Sequence, residues 1–557
     1  MTAPAAESRR AARRSRVTSA GSLVATAWAF YVAVTLAPVL AVAGRGLARL
    51  VAGDAEAWGL LLPSTRRLWL LVDSLAASLA VTAFTTIIGM LAAAAFLRRI
   101  AAGDGAAPRG ASLLPAALIL WAITPPYLHA LVGMEAGNAL AAALRAIGLT
   151  VAPAQWPGWL AAFAAQAFAL LPISLAAASV GLLGVGRAEF EAGRMLAGRG
   201  RVFLRVVLPL AAPATAAGAA AVFVLALLDH ATPSLFGRAS HAMEIVAEHA
   251  ATRLAWRAAI LALPLILIAG LAIAAASIAV RRGGRALTGT VAMRIAEARP
   301  LGPSPVAESL AAAIVLGYAA LFVGLAAAGL GLGTALPRLI WEVRRDLATT
   351  LVDAVLAGLL ALGPAALIGW HLAAGEGRAA GRTVVGRGAA WVVVLLPLAV
   401  PPALIGVGIA EVLADHAPMA LRTSPLVAIW AHLARFLPFA VLVVHAAVRR
   451  VDPALIDAAR LHRPSAPARW RRIEGPLSMS GLVAAFALVF CGAVGELEAT
   501  LLSAAPGAGL LSMRVFNYLH YGASDTVAAL GLVLGAIVWV AAVTALRAIG
   551  RRRGGEP

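Results

Sequence analysis

Four acidic residues stand inside stretches that are otherwise apolar: Asp73, Asp229, Asp353 and Glu496. A carboxylate held in hydrocarbon costs roughly 2.5–3.5 kcal/mol on insertion scales, so such groups face a bundle interior or a water-filled path. A ring of them would favour cations, as acidic rings do in cation channels. The plainer reading is that each caps its helix or meets water at the membrane interface. That reading is preferred for Asp73 and Asp353, while both stay open for Asp229 and Glu496. His129, His371, His432 and His445 fall in different apolar segments without a ligand spacing, and read as packed or interfacial side chains. Cys491 has no second cysteine to pair with and reads as a small core residue. No nucleophile–base pair stands at a supporting spacing, which sets aside a membrane-bound enzyme such as a lipid transferase. A phosphate-binding loop needs Gly-Lys-Ser/Thr, and the chain contains no lysine.

The elements that must position these residues are membrane helices. The 557 residues are 61% hydrophobic and only 13% charged, against roughly 25% charged in a soluble domain. Runs such as 23–43, 113–133 and 527–546 reach the ~20 residues that cross a bilayer core. They must be helical, because lipid offers no partner to an open backbone. Hydropathy predicts twelve spans: 20–43, 70–96, 112–133, 158–184, 208–229, 257–280, 307–330, 347–372, 389–411, 424–447, 478–500 and 526–547. The fold class expected is all-α, polytopic, with about twelve transmembrane helices. Pro125-Pro126 and Pro401-Pro402 should kink the third and ninth spans.

The formal net charge of +20 invites a nucleic-acid reading, but its distribution follows topology instead. Arginines gather at 9–16, 281–299, 449–472 and 551–553, and most alternate loops are poorer; Arg66-Arg67 and Arg344-Arg345 are exceptions. By the positive-inside rule this puts both termini in the cytoplasm of a bacterial inner (plasma) membrane protein. No nucleic-acid partner is expected; membrane lipid is. The basic N-terminus and the run ending Ala41-Val42-Ala43 imitate a signal peptide. The apolar run is longer than the 7–15 residues usual there, so it reads as a retained first span.

The chain repeats itself. Val72-Asp73 and Ile88-Gly89 recur as Val352-Asp353 and Ile368-Gly369 at an offset of 280, each aspartate preceded by an arginine pair. Pro125-Pro126 matches Pro401-Pro402, and Leu171-Pro172 matches Leu437-Pro438 at 266. Pro209 and Asp229 match Pro476 and Glu496 at 267. An ordered series of matches with drifting offsets is the mark of duplication. The predicted organisation is a basic tail (1–19), a first six-helix repeat (20–285), a cytoplasmic linker (286–305), a parallel second repeat (306–548) and a short tail (549–557). Asp73 with Asp353, and Asp229 with Glu496, then form two symmetric pairs of pathway candidates.

The longest basic loops within the repeats join spans four and five (185–209) and spans ten and eleven (451–476). The first reads Glu191-Ala192-Gly193-Arg194-Met195-Leu196-Ala197-Gly198 and closes on Leu208-Pro209. The second reads Asp457-Ala458-Ala459-Arg460-Leu461 and closes on Ile473-Glu474-Gly475-Pro476. Each predicts a short amphipathic helix on the membrane surface, followed by a proline in the first turn of the next span, where a missing N–H costs nothing.

This pattern resembles the EAA loop of ATP-binding-cassette importer permeases: Glu-Ala-Ala, a glycine four residues on, then Ile-x-Leu-Pro. The tandem form is similar to the fused permeases of ferric-iron and thiamine importers. The stretch from Gly495 through Ala523 looks like the corresponding part of the ferric-iron type. The sequence departs from the pattern at Gly193, Ala197, Asp457, Arg463 and Gly475, and the first loop is one residue shorter. The resemblance implies that both loops are coupling helices gripped by two copies of an ATPase subunit, which burn ATP-Mg while this chain binds no cofactor. It also implies a periplasmic substrate-binding protein on the other face. Ferric iron ranks first as solute, ahead of thiamine, phosphonates and polyamines. The competing class is a secondary active transporter with six plus six helices.

Overall fold

The computed structural model describes residues 21–62, 64–101, 124, 126–130, 133, 145–148, 158–185, 187–283, 305–331, 333, 335–376, 384–452, 455, 458, 469–504, 509–520 and 524–553. Among them the secondary structure is helical, with no strand. Seven helices are long and apolar enough to cross a membrane, or ten if each of three bent pairs is one span. The chain is an all-α, multi-pass membrane protein. Most of the third predicted span, the N-terminal tail, most of the linker and the last four residues lie outside the described residues.

The first unit begins with α1 (Gly21–Thr35) and α2 (Ala37–Val51), bent by 55° at Leu36, where Pro38 enters the first turn of α2. It continues with α3 (Thr65–Ala101), α4 (Gly158–Leu183), a surface helix α5 (Arg187–Leu196), α6 (Leu208–Leu228), α7 (His241–Thr252) and α8 (Ala255–Arg282). The second unit has α9 (Pro305–Gly331), α10 (Arg344–Glu376), α11 (Val384–Leu395), α12 (Pro402–His416), α13 (Leu426–Val448), α14 (Met479–Gly495), α15 (Leu511–His520) and α16 (Ser524–Arg553). The kink expected at Pro401-Pro402 is a 97° turn between 388–399 and α12. Its counterpart at Pro125 is outside the described residues.

Three hydroxyls within α3 are satisfied along the helix itself. Ser74, Ser78 and Thr82 each donate 2.7 Å to the carbonyl four residues back, so they need no partner in lipid. Between helices, the hydrophobic effect supplies little where lipid is as apolar as protein, so close approach through small residues matters. A Cβ on Gly218 of α6 would lie 2.3 Å from that of Ala177 in α4; one on Gly481 of α14 would lie 2.2 Å from that of Ala447 in α13. The same helix pair is thus sealed by the same device in both units. Cys491 is buried in the core, as its sequence context suggests.

The first helix of each sequence half leans on the other half. Tyr31 of α1 donates 2.8 Å to Val394 O, and Trp430 of α13 donates 3.0 Å to Val34 O. In return, Tyr318 of α9 donates to Phe168 O of α4. Arg45 of α2 pairs with Glu411 and Asp415 at the end of α12. These crossed arms tie the two units into one body.

Some of the sequence matches have counterparts in the backbone. A five-residue π-turn, a rare element, occupies Phe203–Val207 ahead of α6 and Trp470–Glu474 ahead of α14, at an offset of 267. In α3 and α10, however, the register differs from the sequence match by one turn. Ser74 accepts 3.0 Å from His241 N at the start of α7, and Thr350 accepts 2.9 Å from Leu511 N at the start of α15. Those equivalent bonds fix the offset at 276, not 280. Consistently, Gly89 packs on Leu175 whereas Gly369 packs on His445, four residues beyond the equivalent of Leu175. A four-residue slip keeps nearly the same helix face, which is how a chance Val-Asp match can mislead.

Candidate functional site

Two regions carry polar chemistry, at opposite ends of the bundle. The first is where α6 and α14 stop. α6 ends at Leu228 and α14 at Gly495, and the next residue, Asp229 or Glu496, turns to extended backbone in both. Each carboxylate then folds onto the following helical turn. Asp229 accepts 3.0 Å from Thr232 N, and Glu496 accepts 2.7 Å from Ala499 N and 3.0 Å from Thr500 N. Both carboxylates therefore satisfy backbone N–H groups at the start of the next helical turn.

They differ in what else they meet. Asp229 accepts 3.1 Å from the amide of Gln166 on α4. Glu496 pairs at 2.9 Å with Arg435 of α13, whose second nitrogen lies 2.9 Å from Glu498. Glu498 reaches the first unit, 3.4 Å from both the backbone N–H and the Nδ1 of His230. The positions of Arg435 and Glu498 correspond to Ala169 and Ala231 of the first unit, at offsets of 266 and 267. The Arg435–Glu498 pair is thus present in the second unit and absent from the first, and it bridges the interface between the two. Burying charges is costly, and breaking such a pair more so, because the survivor has no solvent. Arg435 faces the bundle, one of two placements its position in span ten allows. Glu498 and His230 were not singled out by sequence; the only signal was Glu-x-Glu in an apolar run.

Asp73 and Asp353 do not form a matching pair. Asp73 is half-exposed and pairs with Arg238 at 2.5 Å. Asp353 is 1% exposed, and among the described residues neither carboxylate oxygen has a partner. In the 276 register Asp73 corresponds to Thr349 and Asp353 to Ala77. A symmetric ring through these two aspartates is corrected by that geometry. Nearby, ties one turn apart in that register join α7 to α3 and α15 to α10 with reversed polarity: Arg67 to Glu244 at 3.2 Å, and Asp346 to Arg514 at 2.7 Å. Among the described residues no three His, Cys, Asp or Glu side chains gather as a metal site.

The second region is the pair of loops. Glu191 and Ala192 lie exposed on α5, and Met195 and Leu196 at its end are 87% and 89% exposed. Two large apolar side chains thus stand clear of the bundle at the end of this surface helix. Gly193 stands where a Cβ would come 3.0 Å from Val202 Cγ1, so its departure from alanine lets α5 close on the next turn. Gly198 has open space around it. After the π-turn, Leu208 and Pro209 open α6. In the second loop, Ala458 is helical and exposed, while Asp457 and Ala459 lie outside the described residues. Ile473 sits in the π-turn and Pro476 in the turn after it. Gly475 also has a steric reason: a Cβ there would meet Trp470 O at 2.7 Å. No family model matches the chain, and no curated protein matches it.

Proposed function

We propose that the chain is the permease of an ATP-binding-cassette importer, with twelve spans and both termini in the cytoplasm of a bacterial inner membrane. The observation that carries the proposal is the pair of matched loops. Each lies between equivalent helices, ends in a π-turn and passes a proline into the next span. The exposed Met195 and Leu196 give the first loop an apolar grip for an ATPase subunit. Two ATPase subunits would take one loop each and spend ATP-Mg; this chain supplies the path and no catalytic group. A periplasmic binding protein would deliver the solute to the opposite end, where Asp229, Glu496, Glu498 and Arg435 lie. Ferric iron remains the first-ranked solute, on the resemblance of residues 495–523. The acids there are already engaged by caps and by Arg435, so they act as a charged seam between the halves and not as a bare cation cage.

The test is Glu191→Lys combined with Asp457→Lys. Membrane insertion should persist while ATP hydrolysis separates from uptake; full coupling in that variant would remove the loop assignment. One observation favours the alternative, a secondary transporter. Asp353 is a buried carboxylate without a partner among the described residues, the kind of group that carries protons in such proteins. Asp353→Asn abolishing a proton-driven, ATP-independent uptake would support that reading.

A further inference from the structure

The second loop has a feature its counterpart lacks. Glu474, the last residue of its π-turn, is 2% exposed. Its carboxylate accepts from Arg469 Nε at the loop's end and from Trp370 Nε1 on α10. Its carbonyl accepts 2.6 Å from Ser478 Oγ and 2.9 Å from Ser478 N, at the 60° bend into α14. The corresponding first-unit residues are Val202, Val207 and Ala94, all buried and apolar, the latter two in one hydrophobic cluster. Non-directional packing tolerates sliding by a fraction of a side chain. A charge-assisted hydrogen bond loses its strength within a few tenths of an ångström and a few tens of degrees. Displacing the second loop must therefore break the triad or carry α10 along.

We propose that Trp370, Glu474 and Arg469 are positioning residues that clamp the second coupling loop to α10, making this loop the one that drives its half of the bundle. The first loop, seated on valines and alanine, follows with slack. This rests on the importer reading above, but the clamp itself is testable without it.

Two variants separate the clamp from mere stability. Trp370→Phe keeps an aromatic ring, though a smaller one, and removes one donor. Arg469→Met with Glu474→Leu gives the second unit the first unit's apolar chemistry, and such a double replacement of a buried ion pair is often neutral or stabilising. In the isolated chain, hydrogen exchange at residues 470–478 should accelerate roughly tenfold in both variants, about one hydrogen bond's worth of protection, with the melting temperature held or raised in the double variant. With the ATPase bound, solute moved per ATP hydrolysed should fall severalfold in both. Unchanged exchange in both variants overturns the clamp whatever the ATPase does. Faster exchange with wild-type solute per ATP overturns its driving role. If the wild-type chain takes no ATPase, the importer reading falls while the exchange result still decides the clamp.

Discussion

The two units share a backbone and differ in how they fill it. Where the first closes its loop with Val202, Val207 and Ala94, the second uses Arg469, Glu474 and Trp370. Where the first caps α6 with Asp229 beside Gln166 and leaves Ala169 and Ala231, the second adds Arg435 and Glu498 around Glu496. The same substitution of apolar packing by buried ion pairs occurs at both ends of one repeat. Buried ion pairs are poor sources of stability, since desolvation offsets much of their attraction. Their gain is geometric: a pair holds one arrangement and penalises others steeply. The comparison teaches that the first repeat is built to be stable and the second to be particular about position.

That contrast can be broken by mutation. The largest effect is expected for Arg435→Ala, which leaves Glu496 and Glu498 buried without their cation and should cost about 3–5 kcal/mol. Equilibrium unfolding in detergent measures it, and a loss under about 1 kcal/mol would mean the cluster is hydrated. Gln166→Ala, the matching deletion in the first repeat, removes one neutral donor and should cost about 1–3 kcal/mol in the same assay. Arg514→Ala cuts the half-exposed tie to Asp346 and should cost about 1 kcal/mol or less. In the doubly reversed Arg514→Asp with Asp346→Arg, much of that loss should return, since the first repeat already carries the opposite polarity in Arg67 and Glu244. Asp73→Asn should change stability by at most about 0.5 kcal/mol, because both it and Arg238 are solvated.

Much of this was legible in the sequence for identifiable reasons. Apolar runs of bilayer length mark helices, of which seven among the described residues, or ten if each bent pair is one span, are long and apolar enough to cross a membrane, the bend at Pro401-Pro402 among them; the third predicted span is described only at 124, 126–130 and 133. Pro209 placed the start of α6 because proline suits a first turn and little else in a helix; Pro476 opens the short turn Gly475–Leu477, and α14 begins only after the 60° bend that follows it. The offset of 267 found there holds in the backbone to the residue. The offset of 280 in α3 and α10 does not, because helices tolerate a four-residue slip that keeps their apolar face. Gly193 and Gly475 stand out in sequence as departures from a motif; in three dimensions each is a close contact with Val202 or with Trp470 O. The Arg435 cluster was hidden for a different reason. Its members come from three segments up to 268 residues apart, and no local pattern announces a pairing made only when the two repeats close.

On the proposed function, an external ATPase moves this bundle through its two loops. Reconstituting the chain in proteoliposomes, with and without an ATP-binding-cassette ATPase and with the binding protein supplied, measures that directly. Uptake that requires both the ATPase and ATP is the predicted result. Uptake by the chain alone, driven by an ion gradient, would contradict it.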